Sequence, residues 1–390
     1  MLYRKLGRTG LAVSVLGFGA MRLPVEGGTD DVTDSYDPNK AIDEKEAISM
    51  LEYAIDHGVN YFDSAYMYHG GRSEVVLGKG LRACRDKVFI ATKLPAVMVK
   101  GPEDFDRFFT EQLERLGTAY VDVYLLHGLH RETWDRTKEM GVLRFLDRIV
   151  SEGRARHVGF SFHDDFTVFK EIVDSYDWEL CQIQYNYYDE QAQAGKNGLV
   201  YAASKGLGIV VMEPVRGGML AGQVPADVQA LWDSAHTKRS PAEWALRWVW
   251  NHSEVSTALS GMSTMDQVKE NVRIADEGKA DSLTPEELSL VNKVRETYRK
   301  MFKVGCTGCA YCMPCEAGVA IPMMLSAYND SFVFPHRAEM IAVLYNRFLK
   351  PEQRASACIE CAKCEEKCPQ HIPIREELKR VHQRLSRPSK

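Results

Sequence analysis

In YFDSAYMYHG, Tyr61 to Gly70, a short β-prone apolar run breaks at Asp63, and Tyr68 follows five residues on. A phenol ionises at a pKa of about 10 and is a poor proton donor or acceptor at neutral pH unless nearby charge retunes it. An aspartate cannot do that directly and needs a cation between. Lys93 in IATKLP is a candidate cation, and His127 in YLLHG could add an imidazole. Each has an ordinary explanation alone: a strand end before tyrosines that pack, a solvated lysine, a satisfied polar histidine. A second kind of chemistry lies downstream. Cys306-Thr-Gly-Cys309-Ala-Tyr-Cys312-Met-Pro-Cys315 and Cys358-Ile-Glu-Cys361-Ala-Lys-Cys364-Glu-Glu-Lys-Cys368-Pro369 have the repeated two-residue gaps of metal-ligating thiolates.

The elements that must carry these residues divide the chain. Its 390 residues suit one large barrel or α/β unit plus a small module. Only Cys84 and Cys181 fall among the first three hundred residues, and both read as small packed hydrophobes. The other eight crowd between Cys306 and Cys368, which is ligand spacing and not a secreted disulfide framework. After the cap-like Thr284-Pro285-Glu286-Glu287 a charged helix runs toward Met301, so the expected domains are 1–301 and 302–390. The formal charge of -5 is spread in mixed sign without a basic block, which argues against nucleic acid. No apolar run approaches the ~18 residues of a membrane span, and MLYRKLGRTG is not a signal peptide; a cytoplasmic location is expected.

In the first domain, β-rich runs are expected near 14–18, 60–62, 88–92, 121–126, 155–160, 180–185, 208–212 and 255–259. Amphipathic helices separate most of them: 44–57, 73–84, 103–116, 138–152, 166–175, 241–251 and 265–275. Such alternation predicts a closed (β/α)8 TIM barrel within the α/β class. A doubly wound dinucleotide fold is disfavoured, since Gly17 and Gly19 are followed by Arg22 where a third glycine belongs. A barrel sites its chemistry where strands end. There the sequence puts Asp63, Lys93, His127, Ser161, Glu213, and Gly261 with Ser263, an acid, an ammonium and an imidazole converging beside a phenol.

At these residues the chain resembles the aldo-keto reductases. FDSAYMYHGGRSEVVLGKGL looks like the family's second-strand signature, and Asp63, Tyr68, Lys93 and His127 match its catalytic tetrad. The resemblance implies an NAD(P)H-dependent oxidoreductase acting on a small carbonyl or alcohol. Tyr68 would be the general acid, Lys93 held by Asp63 would favour phenolate, and His127 would stabilise the developing alkoxide. It implies further that Ser161 and Gln182 hold the nicotinamide carboxamide beside Ala20 and Met21, and that Pro214, Val215, Arg216 and Gly217 cover the pyrophosphate. Gly261, Ser263, Gln267, Glu270 and Asn271 match the adenosine-side motif, where a helix start can face phosphate. Many NADPH-specific members place basic residues beside that serine; here Met262 and Thr264 stand, with Arg216 the nearest substitute, so the cofactor is NADP or NAD. The polar segment 24–44 is either a substrate cover or a surface insertion.

The second cysteine run is the C-x2-C-x2-C-x3-C-P pattern of 4Fe-4S ferredoxins, and the first shares its opening three positions. Paired C-x2-C also chelates zinc, but zinc does not favour three in tandem before Cys-Pro. Helices over 322–329 and 336–349 make the layout resemble an α-helical, ferredoxin-like domain with two 4Fe-4S clusters as metal sites. By that resemblance Cys306, Cys309, Cys312 and Cys368 would serve one cluster and Cys358, Cys361, Cys364 and Cys315 the other, unless Cys315 closes its own. Hydride carries two electrons and a cubane one, and no flavin signature bridges them. The clusters could be structural, redox-sensing or an electron path from a ferredoxin or other redox partner. Three readings follow: a nicotinamide-dependent carbonyl reductase with an iron-sulfur appendage, an electron-transfer enzyme not driven by nicotinamide, and a redox-sensing binding module.

Overall fold

The computed structural model describes residues 1–28, 40–347 and 349–386. The expected substrate cover over 24–44 falls mostly outside them. Two compact units are present: Met1–Leu220 with Ser240–Pro285, and Ala221–Arg239 with Glu286–Lys390.

The first unit opens with a hairpin, β1 (Tyr3–Lys5) against β2 (Ala12–Ser14). Eight strands then close a parallel barrel: β3 (Leu16–Gly19), β4 (Tyr61–Asp63), β5 (Phe89–Leu94), β6 (Val121–Leu129), β7 (Ala155–Phe162), β8 (Leu180–Gln184), β9 (Gly208–Met212) and β10 (Thr257–Ser260). Each pairs with the next, and β10 returns to β3. All eight overlap the runs expected from the sequence.

Inside the ring, Tyr61, Ala91, Val123, Leu125, Leu180, Val210 and Leu259 form a core joined by Leu6 and Val13 of the hairpin. The hairpin meets β9 at its first residue: a Cβ on Gly7 would fall 2.1 Å from the Gly208 amide nitrogen. The hairpin therefore stoppers the N-terminal end of the barrel and leaves the C-terminal mouth for polar groups.

The helices around the barrel are α1 (Glu44–Asp56), α2 (Arg72–Leu81), α3 (Glu103–Leu116), α4 (Arg131–Glu139), α5 (Val142–Ser151), α6 (Phe166–Asp174), α7 (Gly195–Ser204), α9 (Pro241–Trp250) and α10 (Met265–Ala275), with α8 (Ala226–Asp233) in the other unit. Their starts are written locally: Asp43, Asp165, Ser240 and Thr264 each cap a helix by accepting a backbone N–H. The single helix expected over 138–152 is two, because Gly141 takes a left-handed φ of 86° between α4 and α5.

The second unit is helical: α11 (Pro285–Lys300), α12 (Ile321–Val333), α13 (Ala338–Arg347), the single turn α14 (Lys363–Glu366) and α15 (Ile374–Leu385). Buried Met324, Leu325, Tyr328, Ile341, Tyr345, Leu378 and Val381 supply its core. Asn329, also buried, accepts from the Lys303 and Val304 amides and donates to the Val304 carbonyl, pinning the segment that leads into the first cysteine run. The fold class is therefore a (β/α)8 barrel with a C-terminal helical region. The expectation that this region is a two-cluster ferredoxin-like domain is corrected: among the described residues, no three or more His, Cys, Asp or Glu side chains gather so as to hold a metal ion. No helix among them is long and apolar enough to cross a membrane.

Candidate active site

Asp63 ends β4, Lys93 is the penultimate residue of β5 and His127 lies near the end of β6. Parallel register sets them side by side, with Asp63 opposite Ala91 and Lys93 opposite Leu125. The Lys93 ammonium, fully buried, donates to Asp63 Oδ1 at 2.5 Å, to the Ser64 carbonyl at 2.6 Å and to Tyr68 Oη at 3.5 Å. Asp63 Oδ2 is buried without a hydrogen-bond partner. The His127 ring meets the Tyr68 ring edge-on with centroids 5.8 Å apart. The structure thus brings together all four tetrad candidates.

Burial opposes charge throughout this cluster. It pushes the Asp63 carboxyl up, against the pull of Lys93. Burial works to lower the Lys93 ammonium too, but Asp63 and the Tyr68 phenol outweigh it and hold its pKa above the usual lysine range. Burial, with the Lys93 and His163 charges adding to it, pushes His127 well below the ordinary histidine value, so its imidazole is neutral at neutral pH. The site offers a charged lysine, a phenol within its reach and a neutral imidazole.

Ser161 on β7 and Gln182 on β8 are register partners at the same rim. Ser161 Oγ accepts from the Gly128 amide at 2.7 Å, leaving its O–H to donate, while Gln182 Oε1 is buried without a partner. One donor beside one orphaned acceptor suits a primary carboxamide, so these residues fit a nicotinamide. The turn Ala20–Arg22 follows β3, and Ser73 donates to the Ala20 carbonyl at 2.7 Å.

Beyond β9, Glu213 and Arg216 take left-handed φ values of 56° and 50°, and Gly217 one of 64°. Non-glycine residues there are uncommon and persist only where surroundings hold them. Arg216 donates to Asp189 at 2.7 Å and lies 4.4 Å over the Tyr188 ring. The turn after β10 is braced by its own motif. Gln267 accepts from the Ser263 amide, Asn271 donates to Ser260 Oγ, and Glu270 accepts from Ser240 at the start of α9.

Sequence reasoning passed over Arg22, read only as a failed glycine. Its carbonyl accepts from Ser263 Oγ at 2.9 Å, and its guanidinium sits 3.5 Å from Glu213 Oε1. A charged side chain directly after a barrel strand's mouth was the signal that could have found it.

The cysteines give a different picture. All ten are free thiols. Cys306, Cys309, Cys312 and Cys368 line one cavity of the second unit, and Cys312, Cys315, Cys358, Cys361 and Cys364 another. Burial pushes Cys312 up to about 11 and raises Cys306 and Cys364, favouring the neutral thiol. Lining a cavity is short of converging on a point. With no set of three or more gathered as ligands among the described residues, the two 4Fe-4S clusters, their eight-cysteine ligand sets and the metal-binding assignment are corrected. The readings that needed clusters, electron delivery from a redox partner and redox sensing, lose their footing with them.

A (β/α)8 barrel carrying a buried Lys-Asp pair against a tyrosine at its mouth is equipped for proton transfer, and comparison with known proteins assigns it to an oxidoreductase family. The sequence matches the aldo/keto reductase family over residues 15–296, and the chain belongs to that family. Residues 305–372 also match the 4Fe-4S dicluster domain, a likeness of sequence. L-galactose dehydrogenase of Arabidopsis thaliana is 29% identical over 322 residues, covering 76% of this chain and 95% of the relative. Pyridoxal 4-dehydrogenase of Microbacterium luteolum is 26% identical over 329 residues, covering 69% and 91%. The holo form of an aldo-keto reductase from Bacillus halodurans superposes with a TM-score of 0.61 at 28% identity, covering 75% of this chain and 96% of that structure.

Proposed function

We propose that residues 1–301 reduce the carbonyl of a small molecule, or oxidise the corresponding alcohol, using NADH or NADPH, and that 302–390 form a separate helical domain. The carrying observation is the buried Lys93 ammonium shared between Asp63 at 2.5 Å and Tyr68 Oη at 3.5 Å. A positive charge beside the phenol favours phenolate, so Tyr68 can release its proton to a carbonyl oxygen that is gaining negative charge. Asp63 keeps the lysine charged and aimed. His127, neutral, donates a hydrogen bond to that same oxygen as charge develops on it. In the alcohol-oxidising direction Tyr68 takes the proton back.

A reduced nicotinamide bound at the mouth supplies the hydride. Ser161 and Gln182 would orient its carboxamide, Ala20 and Met21 would flank its ring, and Pro214 to Gly217 with Gly261, Ser263, Gln267, Glu270 and Asn271 would hold the remainder. The two curated relatives named above are dehydrogenases, which favours a hydroxylated aldehyde or its alcohol as substrate class. The test is single-turnover reduction of a panel of small aldehydes by the full chain with NADH and NADPH deuterated at C4. A primary isotope effect is expected with at least one pair. Binding of either nucleotide without hydride transfer to any aldehyde, or from any alcohol in reverse, would reject the reading.

A further inference from the structure

Arg22 is the last residue of the turn that follows β3, yet it is built into two other loops. Its carbonyl is tied to Ser263, and its aliphatic stem lies on Gly261, where a Cβ would come within 3.0 Å of Arg22 Cδ. Its guanidinium reaches the loop after β9, where a Cβ on Gly217 would fall 2.9 Å from Nη2. The arginine thus crosses between loops of β9 and β10, each of which gives it room by carrying glycine at the contact.

The side chain is only 12% exposed. A guanidinium carries five N–H donors, and the acceptor facing it is Glu213 Oε1 at 3.5 Å, too long for a strong charge-assisted bond, which closes at about 2.7–2.9 Å. So thinly paired within the protein, the guanidinium keeps N–H donors open to solvent, where an incoming anion can take them. Glu213 is the more exposed partner at 32% and has room to turn outward. Arg216 is already engaged by Asp189 at 2.7 Å, whereas Arg22 keeps most of its donors for a ligand.

Resting on the dinucleotide reading above, we propose that Arg22 binds the diphosphate bridge of the cofactor, exchanging its long contact to Glu213 for short bonds to phosphate oxygens. A planar fork suits two oxygens of one phosphate, which an ammonium cannot match. The diphosphate is common to NADH and NADPH, so Arg22 should add affinity for both without discriminating between them.

The test is the Kd of the full chain for NADH and for NADPH, read by nicotinamide fluorescence, for wild type and for Arg22→Ala, Arg22→Lys and Glu213→Gln. Arg22→Ala is expected to weaken both nucleotides by about 10- to 100-fold and by similar factors, the scale of one or two charge-assisted hydrogen bonds. Arg22→Lys, which keeps the charge and the stem, should recover part of that loss and guards against a folding defect in the alanine variant. Glu213→Gln should bind both nucleotides at least as tightly as wild type. Unchanged affinity in Arg22→Ala, or a loss confined to NADPH, overturns the assignment, the latter placing Arg22 at the 2′-phosphate. A wild-type chain that binds neither nucleotide would overturn the dinucleotide reading itself, a failure visible before any substitution is made.

Discussion

The barrel mouth and the cysteine-bearing helical unit both carry residues suited to chemistry, and they differ in how those residues meet. Asp63, Lys93 and His127 come from three strands far apart in sequence, yet parallel register sets the first two in direct contact, with the imidazole edge-on to the phenol. The thiols sit three or four residues apart in each run, yet they spread around two cavities without gathering. Nearness in sequence is therefore a weak constraint on side-chain convergence, and strand register a strong one. Charge adds to the contrast. Lys93 is buried as a cation and must be paired, whereas burial favours thiols that are neutral and demand no partner.

The sharpest way to test the mouth is to remove its proton and nothing else. Tyr68→Phe deletes one hydroxyl from a half-buried ring and should lower kcat/KM for carbonyl reduction by ~100-fold or more, with nucleotide Kd unchanged. Turnover near wild type would leave the phenol no catalytic part. Next in size is the pair behind it. Lys93→Met leaves Asp63, 2% exposed, as an uncompensated buried acid, and should destabilise the protein by about 3–5 kcal/mol in denaturant unfolding. Asp63→Asn combined with Lys93→Met should cost clearly less than the sum of the single variants, because neither stranded charge remains. Strict additivity would show that the two groups do not act as a pair.

What could be read from the sequence follows the same divide. Strand cores were legible because each is a short, largely apolar run between turn residues, and the meeting of Asp63, Lys93 and His127 beside Tyr68 was legible because a barrel fixes which strand ends share a rim. Boundaries were less so: β6 runs on to Leu129 through an irregularity after Leu126, so His127 lies inside the strand and not at its end. Helix α7 went unseen because its first turn holds two glycines and an asparagine, poor helix formers, and burial of Leu199 and Ala202 decides it. Arg22 was missed since its role depends on loops from β9 and β10 that no local pattern connects to it. The cysteine spacing was plain and pointed to clusters, but spacing reports which residues border a cavity and not whether their sulfurs meet.

A smaller effect separates the regions by pH. His69, next to Tyr68 in sequence, is pushed down to about 4 by burial, with Arg72 adding to it and the Met21 carbonyl opposing. The unfolded chain takes up that proton near pH 6.5, the folded chain only near 4. The unfolded state therefore binds more protons between those values, and stability falls as pH is lowered through them. His69 has a φ of 50°, which asparagine tolerates, so His69→Asn should flatten this slope without local strain. Melting temperature measured from pH 7 to 4.5 checks it, and parallel curves for the two proteins would remove His69 from the linkage.

The smallest expected effect lies in the second unit, and it bears most directly on the contrast. Cys309 and Cys361 are exposed, one in each run. If thiols there border cavities without serving as a joint ligand set, replacing either by serine changes only one exposed atom. Cys309→Ser and Cys361→Ser should then shift stability by no more than ~0.5 kcal/mol, the usual range for surface substitutions, and leave carbonyl reduction as it was. Comparing the two variants with Cys368→Ser, which alters a buried thiol packed near Ile372 and Ile374, gives the internal control, since packing alone makes that one cost more. Equal and large losses at exposed and buried positions alike would mean that the thiols act as a unit, and the distinction between register-driven and spacing-driven convergence would fail at the point where it was drawn.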